Sequence, residues 1–247
     1  MLHIDPEFST LGLVLAVPLL AQATVGDALL GRRSYARLRR DRDRDPRALV
    51  RLYRLWIATS WGLAALGALT VVVSPGVAAG DIGLTWPGDP ARIAGMLVGL
   101  AIVLPLTVLV GRRMAARGKA VPGAEGVTEL LPRDARERRL GLAMSVTAGI
   151  CEEFVYRGVL IALFVGVLGV PVQVAAGIAL ALFAVAHAYQ GWRNMLLTLL
   201  PGYALTAMYL STGSLLLPVL VHILIDVRGL VLTPAPAAGP RPVAQNG

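Results

Sequence analysis

Three short stretches of this sequence carry side chains able to move protons, and each is embedded in an apolar run. They are Cys151-Glu152-Glu153-Phe154-Val155-Tyr156-Arg157-Gly158, Phe183-Ala184-Val185-Ala186-His187 and His222-Ile223-Leu224-Ile225-Asp226. Carboxylates and imidazoles are the usual general acids and bases near neutral pH, and both also ligate metals. Two of the three histidines in the chain fall in these stretches; the other is His3.

Helical spacing sorts the set. Glu153 and Arg157 stand at i, i+4, share one face and neutralise each other, which reads as a structural brace. Glu152 points about 100 degrees away, and its own i+4 neighbour is the Tyr156 hydroxyl. It is the carboxylate left without a cation, and so the candidate general base. Phe183 lies one turn from His187 and can wall off or orient its ring, while Asp226 shares a face with His222.

Each charge at a bilayer centre costs about 2.5–3.5 kcal/mol on the insertion scale. Taken singly, a membrane histidine can serve to bond a carbonyl, and an acid–arginine pair to hold helices. Three such stretches in one chain point instead to a functional site. Two histidines and a carboxylate, His187, His222 and Glu152, are also zinc-type ligands that would leave a coordination position for water. No H-E-x-x-H, G-x-S-x-G or G-x-G-D motif occurs. Cys151 adjoins Glu152 and could be paired with His187 as a nucleophile, but an apolar helix interior disfavours its thiolate; it reads as a small packed hydrophobe.

The elements that position these residues are membrane helices. Of 247 residues, 56% are hydrophobic and 15% charged, with a mean hydropathy of +0.68; soluble domains carry about 25% charged residues. Apolar runs recur at 11–30, 55–73, 93–110, 142–166, 171–189, 194–210 and 214–232, each near the roughly 20 residues that span a hydrocarbon core. The expected fold is an all-α membrane protein, a bundle of about seven transmembrane helices with the active site between the later ones. Residues 1–139 form an N-terminal membrane unit with basic loops, 140–232 a catalytic helix bundle, and 233–247 a proline-containing tail expected to be disordered. The single cysteine excludes an internal disulfide.

The net charge of +8 is not a nucleic-acid signature here. Eighteen of the 23 Lys and Arg residues sit in two blocks, 31–54 and 111–141, between apolar runs. With Arg193 they mark one side of the membrane, which the positive-inside rule makes cytoplasmic. The N-terminus is then outside, the C-terminus inside, and the membrane the plasma membrane. The run Arg39–Arg47, with both signs interleaved, suits a solvated loop against anionic head groups. Because the first apolar run follows acidic Asp5 to Glu7 instead of a basic region, it reads as a retained helix.

Depth adds a constraint. At about 1.5 Å per residue, Glu152 lies roughly 20 Å along its helix from Arg139, whereas His187 and His222 lie about 9 Å from Arg193 and Arg228. The three can meet only if the fourth helix begins in the cytosol, so the site is expected to open towards the cytoplasm.

Glu152-Glu153-x-x-x-Arg157, Phe183-x-x-x-His187 and His222-x-x-x-Asp226, in that order on three late helices, resemble the signature motifs of the CPBP family. That group comprises type II CAAX prenyl endopeptidases and bacteriocin-processing or self-immunity proteins, often labelled Abi. The resemblance covers roughly residues 140–230, including the small-residue lead-in from Ser145 to Gly149. It implies that Glu152 with His187 activates a water for attack on a peptide carbonyl, and that His222 with residue 226 stabilises the oxyanion; on the helical spacing above, Glu153, Arg157, Tyr156 and Phe183 are supporting residues. Family descriptions use both metal-dependent and glutamate-type labels, so the implied cofactor is none or zinc.

Position 226 departs from the asparagine common in that motif, and an ionised aspartate cannot donate a hydrogen bond to an oxyanion. Asp226 is therefore protonated, orients His222, or ligates a metal; the second needs only one helical turn. The expected activity is an intramembrane endopeptidase acting on a membrane-associated protein or peptide. The alternative is a non-catalytic immunity or scaffold protein that binds a peptide with the same cluster. A transporter or proton relay is a third reading, but the polar residues are local instead of forming a chain across the bilayer.

Overall fold

The computed structural model of the chain describes residues 2–117 and 126–233. Helix α1 runs over Thr10–Asp41 and is interrupted by a π-turn at Gln22–Gly26; α2 is Ala48–Val72 and α3 is Pro90–Ala116. Helix α4 is a continuous rod over 135–168, α-helical to Glu152, π-helical over Glu153–Val159 and α-helical again to Leu168. Helix α5 is Val172–Ala186 with a 3-10 turn His187–Gln190, α6 is Trp192–Thr212, and α7 is Leu216–Asp226 with a closing π-turn Val227–Val231. The seven rods match the seven apolar runs. The tail expected to be disordered lies, but for Thr233, outside the described residues.

Five of the helices, Thr10–Asp41, Ala48–Val72, Ile93–Met114, Val172–Gln190 and Trp192–Thr212, are long and apolar enough to cross a membrane. The two that fall short are α4 and α7, which carry Glu152, Glu153, Arg157, His222 and Asp226. Those polar side chains are tolerated because α4 is the central rod: Val159, Leu160, Ile161 and Ala162 have no exposed surface. They pack among Leu19 and Ala23 of α1, Leu63 and Ala64 of α2, and Ala175, Ala176, Ala179 and Phe183 of α5. At 34 residues and about 1.5 Å each, α4 exceeds a hydrocarbon core of about 30 Å. Its basic first turns around Arg138 can thus lie outside the hydrocarbon, as the depth of the site requires.

A close approach seats α7 against α4, and a glycine turn positions the start of α7. Gly149 lets α7 come in so near that a Cβ there would stand 2.4 Å from Ile223 Cγ1, 3.0 Å from Ile223 N and 3.1 Å from Val219 O. Gly213, at φ +67°, ends α6 in the left-handed conformation that glycine adopts without strain. Its turn is tied to the 80s loop: Leu215 N–H donates to Gly83 O and Ser214 Oγ to Thr85 O.

On the basic side, Asp134 caps α4 by accepting from Glu137 N–H. Arg42, in the turn after α1, is 4% exposed and grips Glu137, itself 2% exposed, through two N–H donors at 2.7 and 2.8 Å. The same guanidinium donates to Glu129 O and Leu131 O, so it fastens the end of α1 to the segment that enters α4. Below it a second core forms from Tyr35, Leu38, Leu49, Leu52, Tyr53, Leu130 and Met144.

Removing one partner of such a pair strands the other charge, at about 3–5 kcal/mol, whereas apolar replacement of both can be neutral. Arg42→Met and Glu137→Leu are each expected to lower the thermal midpoint of the purified protein more than the double variant does; equal or additive losses would contradict a closed pair. Gly149→Val drives α4 and α7 apart without touching a polar side chain. It is expected to leave membrane insertion intact and to cut turnover by about 10²-fold, the effect of roughly 1 Å of misplacement, measured as activity per folded protein.

Candidate functional site

The site is assembled around one buried carboxylate. Glu153 has no exposed surface, and its Oε1 accepts from Arg157 Nη1 at 2.9 Å and from His222 Nδ1 at 2.6 Å. Arg157, 1% exposed, also donates to Gly202 O of α6 at 3.2 Å, lies 3.4 Å from Thr206 Oγ1, and sits over the Phe183 ring at 4.3 Å. The brace expected within α4 is therefore present but reaches further, holding α6 by its backbone and α7 by its histidine. The π-turn beginning at Glu153 widens the helix at this point, a departure common at functional sites.

His222 thus receives its orientation from Glu153 on another helix. Asp226, expected to orient it from one turn away, comes only to 3.8 Å from His222 Nε2, beyond hydrogen-bond length. The reason is geometric. The imidazole turns its Nδ1 towards the buried acid, which leaves Nε2 facing the cavity that Asp226 also lines. Tyr156 likewise makes its contact across helices. Its hydroxyl donates to Ala23 O of α1 at 2.9 Å and so does not serve Glu152.

His187 closes α5. Its Nδ1 lies 2.8 Å from Phe183 O; a carbonyl only accepts, so Nδ1 carries the hydrogen and Nε2 of the neutral ring keeps a free lone pair. Phe183 packs on this ring with centroids 4.6 Å apart, and its edge contact with Tyr156 fixes the other side.

Glu152 Oε2 stands 4.0 Å from His187 Nε2 and 4.0 Å from His222 Nε2. It is buried and has no hydrogen-bond partner. The three side chains, from α4, α5 and α7, converge well within one helix diameter. They line one end of a cavity of about 320 Å³. Among the described residues no group of three or more His, Cys, Asp and Glu side chains is arranged to hold a metal ion. Glu152, His187 and His222 are the residues that would hold a zinc ion, which would supply a polarised water.

Sequence reasoning confined the chemistry to the last four helices. The cavity is completed by the first two, through Asp27, Leu30 and Gly31 of α1 and Trp56, Thr59, Ser60 and Leu63 of α2. The signal in the sequence was Asp27, a lone acid towards the end of an apolar run; the α2 residues follow helical steps of three and four on one face.

No curated protein and no solved structure matches this chain. Residues 137–228 match the family model of the type II CAAX prenyl endopeptidase, Rce1-like, a span that holds all three motifs and begins at the glutamate gripped by Arg42. Over that segment the chain is similar to the Rce1-like type II CAAX prenyl endopeptidases.

Proposed function

We propose that the protein is an intramembrane endopeptidase that hydrolyses a peptide bond in a membrane-associated protein or peptide with a water activated by Glu152 and His187. The observation that carries this reading is the unpartnered Glu152 Oε2, 4.0 Å from both Nε2 atoms. Polar groups at that spacing are too far apart for direct hydrogen bonds and suit one bridging water.

Glu152 accepts a proton from that water, and His187 Nε2 accepts its second hydrogen bond, aiming the oxygen at the carbonyl carbon. The C–O bond forms as the carbonyl π-bond breaks, and the oxyanion accepts a hydrogen bond from Nε2–H of protonated His222. Glu153 holds Nδ1–H of that imidazolium, and Arg157 pairs with Glu153 beneath it. Collapse breaks the C–N bond as Glu152 returns its proton to the leaving amine. In this scheme the aspartate at 226 is no obstacle, because His222 is the donor and the Asp226 carboxylate supports its charge from 3.8 Å.

The membrane orientation belongs to the same proposal: plasma membrane, N-terminus outside, C-terminus cytoplasmic and the cavity open to the cytoplasm. Val127, Leu130, Arg228 and Leu230, all from the basic side, line the cavity.

With purified protein in vesicles and a membrane-docking peptide, Glu152→Gln and His187→Ala are each expected to lower kcat by about 10²–10⁴-fold. Peptide binding to Glu152→Gln should persist. Turnover that survives Glu152→Gln sinks the reading and favours a peptide-binding immunity or scaffold protein. The wild-type rate is expected to withstand a chelator; loss that zinc restores would put a metal in the mechanism.

A further inference from the structure

The cavity has a second polar feature that the hydrolytic scheme does not use. Asp27 lies in α1, outside the family-matched segment, and lines the same space as Glu152 and Asp226. No ion pair among the described residues involves it. Its Oδ1 accepts from Gln22 Nε2 at 2.8 Å, across the π-turn Gln22–Gly26. Gly26 makes that contact possible, since a Cβ there would stand 2.2 Å from Gln22 Oε1. The carboxylate is thus held in place by a neutral amide with the Tyr156 hydroxyl beside it, and neither group compensates its charge.

The charge inventory of the cavity is lopsided. Three lining carboxylates, Asp27, Glu152 and Asp226, face two lining cations, Arg228, whose Nη2 donates to Thr107 O, and protonated His222, which is already held by Glu153. Arg157 lies beneath and is committed to Glu153. Independently of the acids, Glu152 Oε2 is a buried acceptor without a donor. The remaining walls include Trp56 and Tyr189, packed edge to face with centroids 5.1 Å apart. Trp56 Nε1–H is spent on Ser34 Oγ at 2.9 Å, so this wall offers π-surface and methylene contacts. Acidic groups beside aromatic and aliphatic walls suit a cation on an apolar stem, because aromatic rings attract cations electrostatically and long basic side chains bury their methylenes.

Resting on the peptidase reading, we propose that Asp27, with Trp56 and Tyr189, forms a subsite for a lysine or arginine side chain of the substrate next to the scissile bond. Helices α1 and α2 then select the peptide, and α4, α5 and α7 cut it. Asp27 is a specificity-determining residue in this arrangement. An aliphatic residue at that position would leave three carboxylates facing apolar surface, and an acidic one would add a fourth charge of the same sign.

The test uses the full-length protein in vesicles and two matched membrane-docking peptides, one with lysine and one with norleucine at every basic position. Binding is measured to Glu152→Gln, and turnover to the wild type and Asp27→Asn. The lysine peptide is expected to bind Glu152→Gln more tightly by at least about tenfold, the lower end of what close charge pairs contribute at interfaces. The lysine-to-norleucine ratio of kcat/KM should collapse towards one in Asp27→Asn. Equal or absent binding of the two peptides overturns the subsite, as does a ratio that Asp27→Asn leaves unchanged while both rates fall, which would make Asp27 a positioning residue. Selective binding without turnover of either peptide upholds the subsite and removes the peptidase reading; turnover without charge preference does the reverse.

Discussion

The rest of the structure depends on a single buried carboxylate oxygen with two cationic claimants. Glu153 Oε1 is shared by the guanidinium of Arg157 and the imidazole of His222 in a region with no solvent. In water such contacts are weak; in a low-dielectric interior an unmatched charge is so costly that all three must stay together. One consequence is rigidity. Arg157 also binds the α6 backbone and stacks on Phe183 of α5, so α4, α5, α6 and α7 are tied at one level of the bundle. The reactive groups inherit that order: His222 through Glu153, and His187 through Phe183.

The two ends of the chain divide the labour. The segment that matches the protease family supplies every group in the hydrolytic scheme, while α1 and α2 contribute walls, a carboxylate and the Ala23 carbonyl that holds the Tyr156 hydroxyl. Arg42 joins the two parts on the basic side. The catalytic helices are therefore not a free-standing unit in any energetic sense, since the cavity exists only with α1 and α2 in place.

Much of this was legible in the sequence, for physical reasons that can be named. Membrane helices announce themselves by length and hydropathy, so seven rods appear where seven apolar runs stand. Glu152, His187 and His222 were visible because charge and imidazole are rare in such runs. Partnership was less visible. Spacing within a helix suggested that Asp226 serves His222 and Tyr156 serves Glu152, but both contacts are made across helices, by Glu153 and by Ala23. Periodicity reports neighbours on one rod and carries no information about the rod packed against it. Asp27 is legible only as a lone acid near the end of an apolar run, and such an acid names no partner until the fold turns it into the cavity.

The π-turns in α1, α4 and α7 fall at Gln22–Gly26, Glu153–Val159 and Val227–Val231, each beside the cavity. A π-turn closes its hydrogen bond one residue later than an α-turn. Each of these helices therefore holds a residue that a regular helix of the same length would not need. Loss of one residue from such a turn would restore regularity there and leave the helix beyond it in register, because the wider turn absorbs its extra residue. In α4 the change would fall on Val155 and Tyr156, which line the cavity, and would leave Leu160 to Phe164 in the core. Among diverging relatives, a one-residue gap inside a membrane helix at these three places would be the trace of a cavity remodelled or abandoned, where the same gap in a loop would mean nothing.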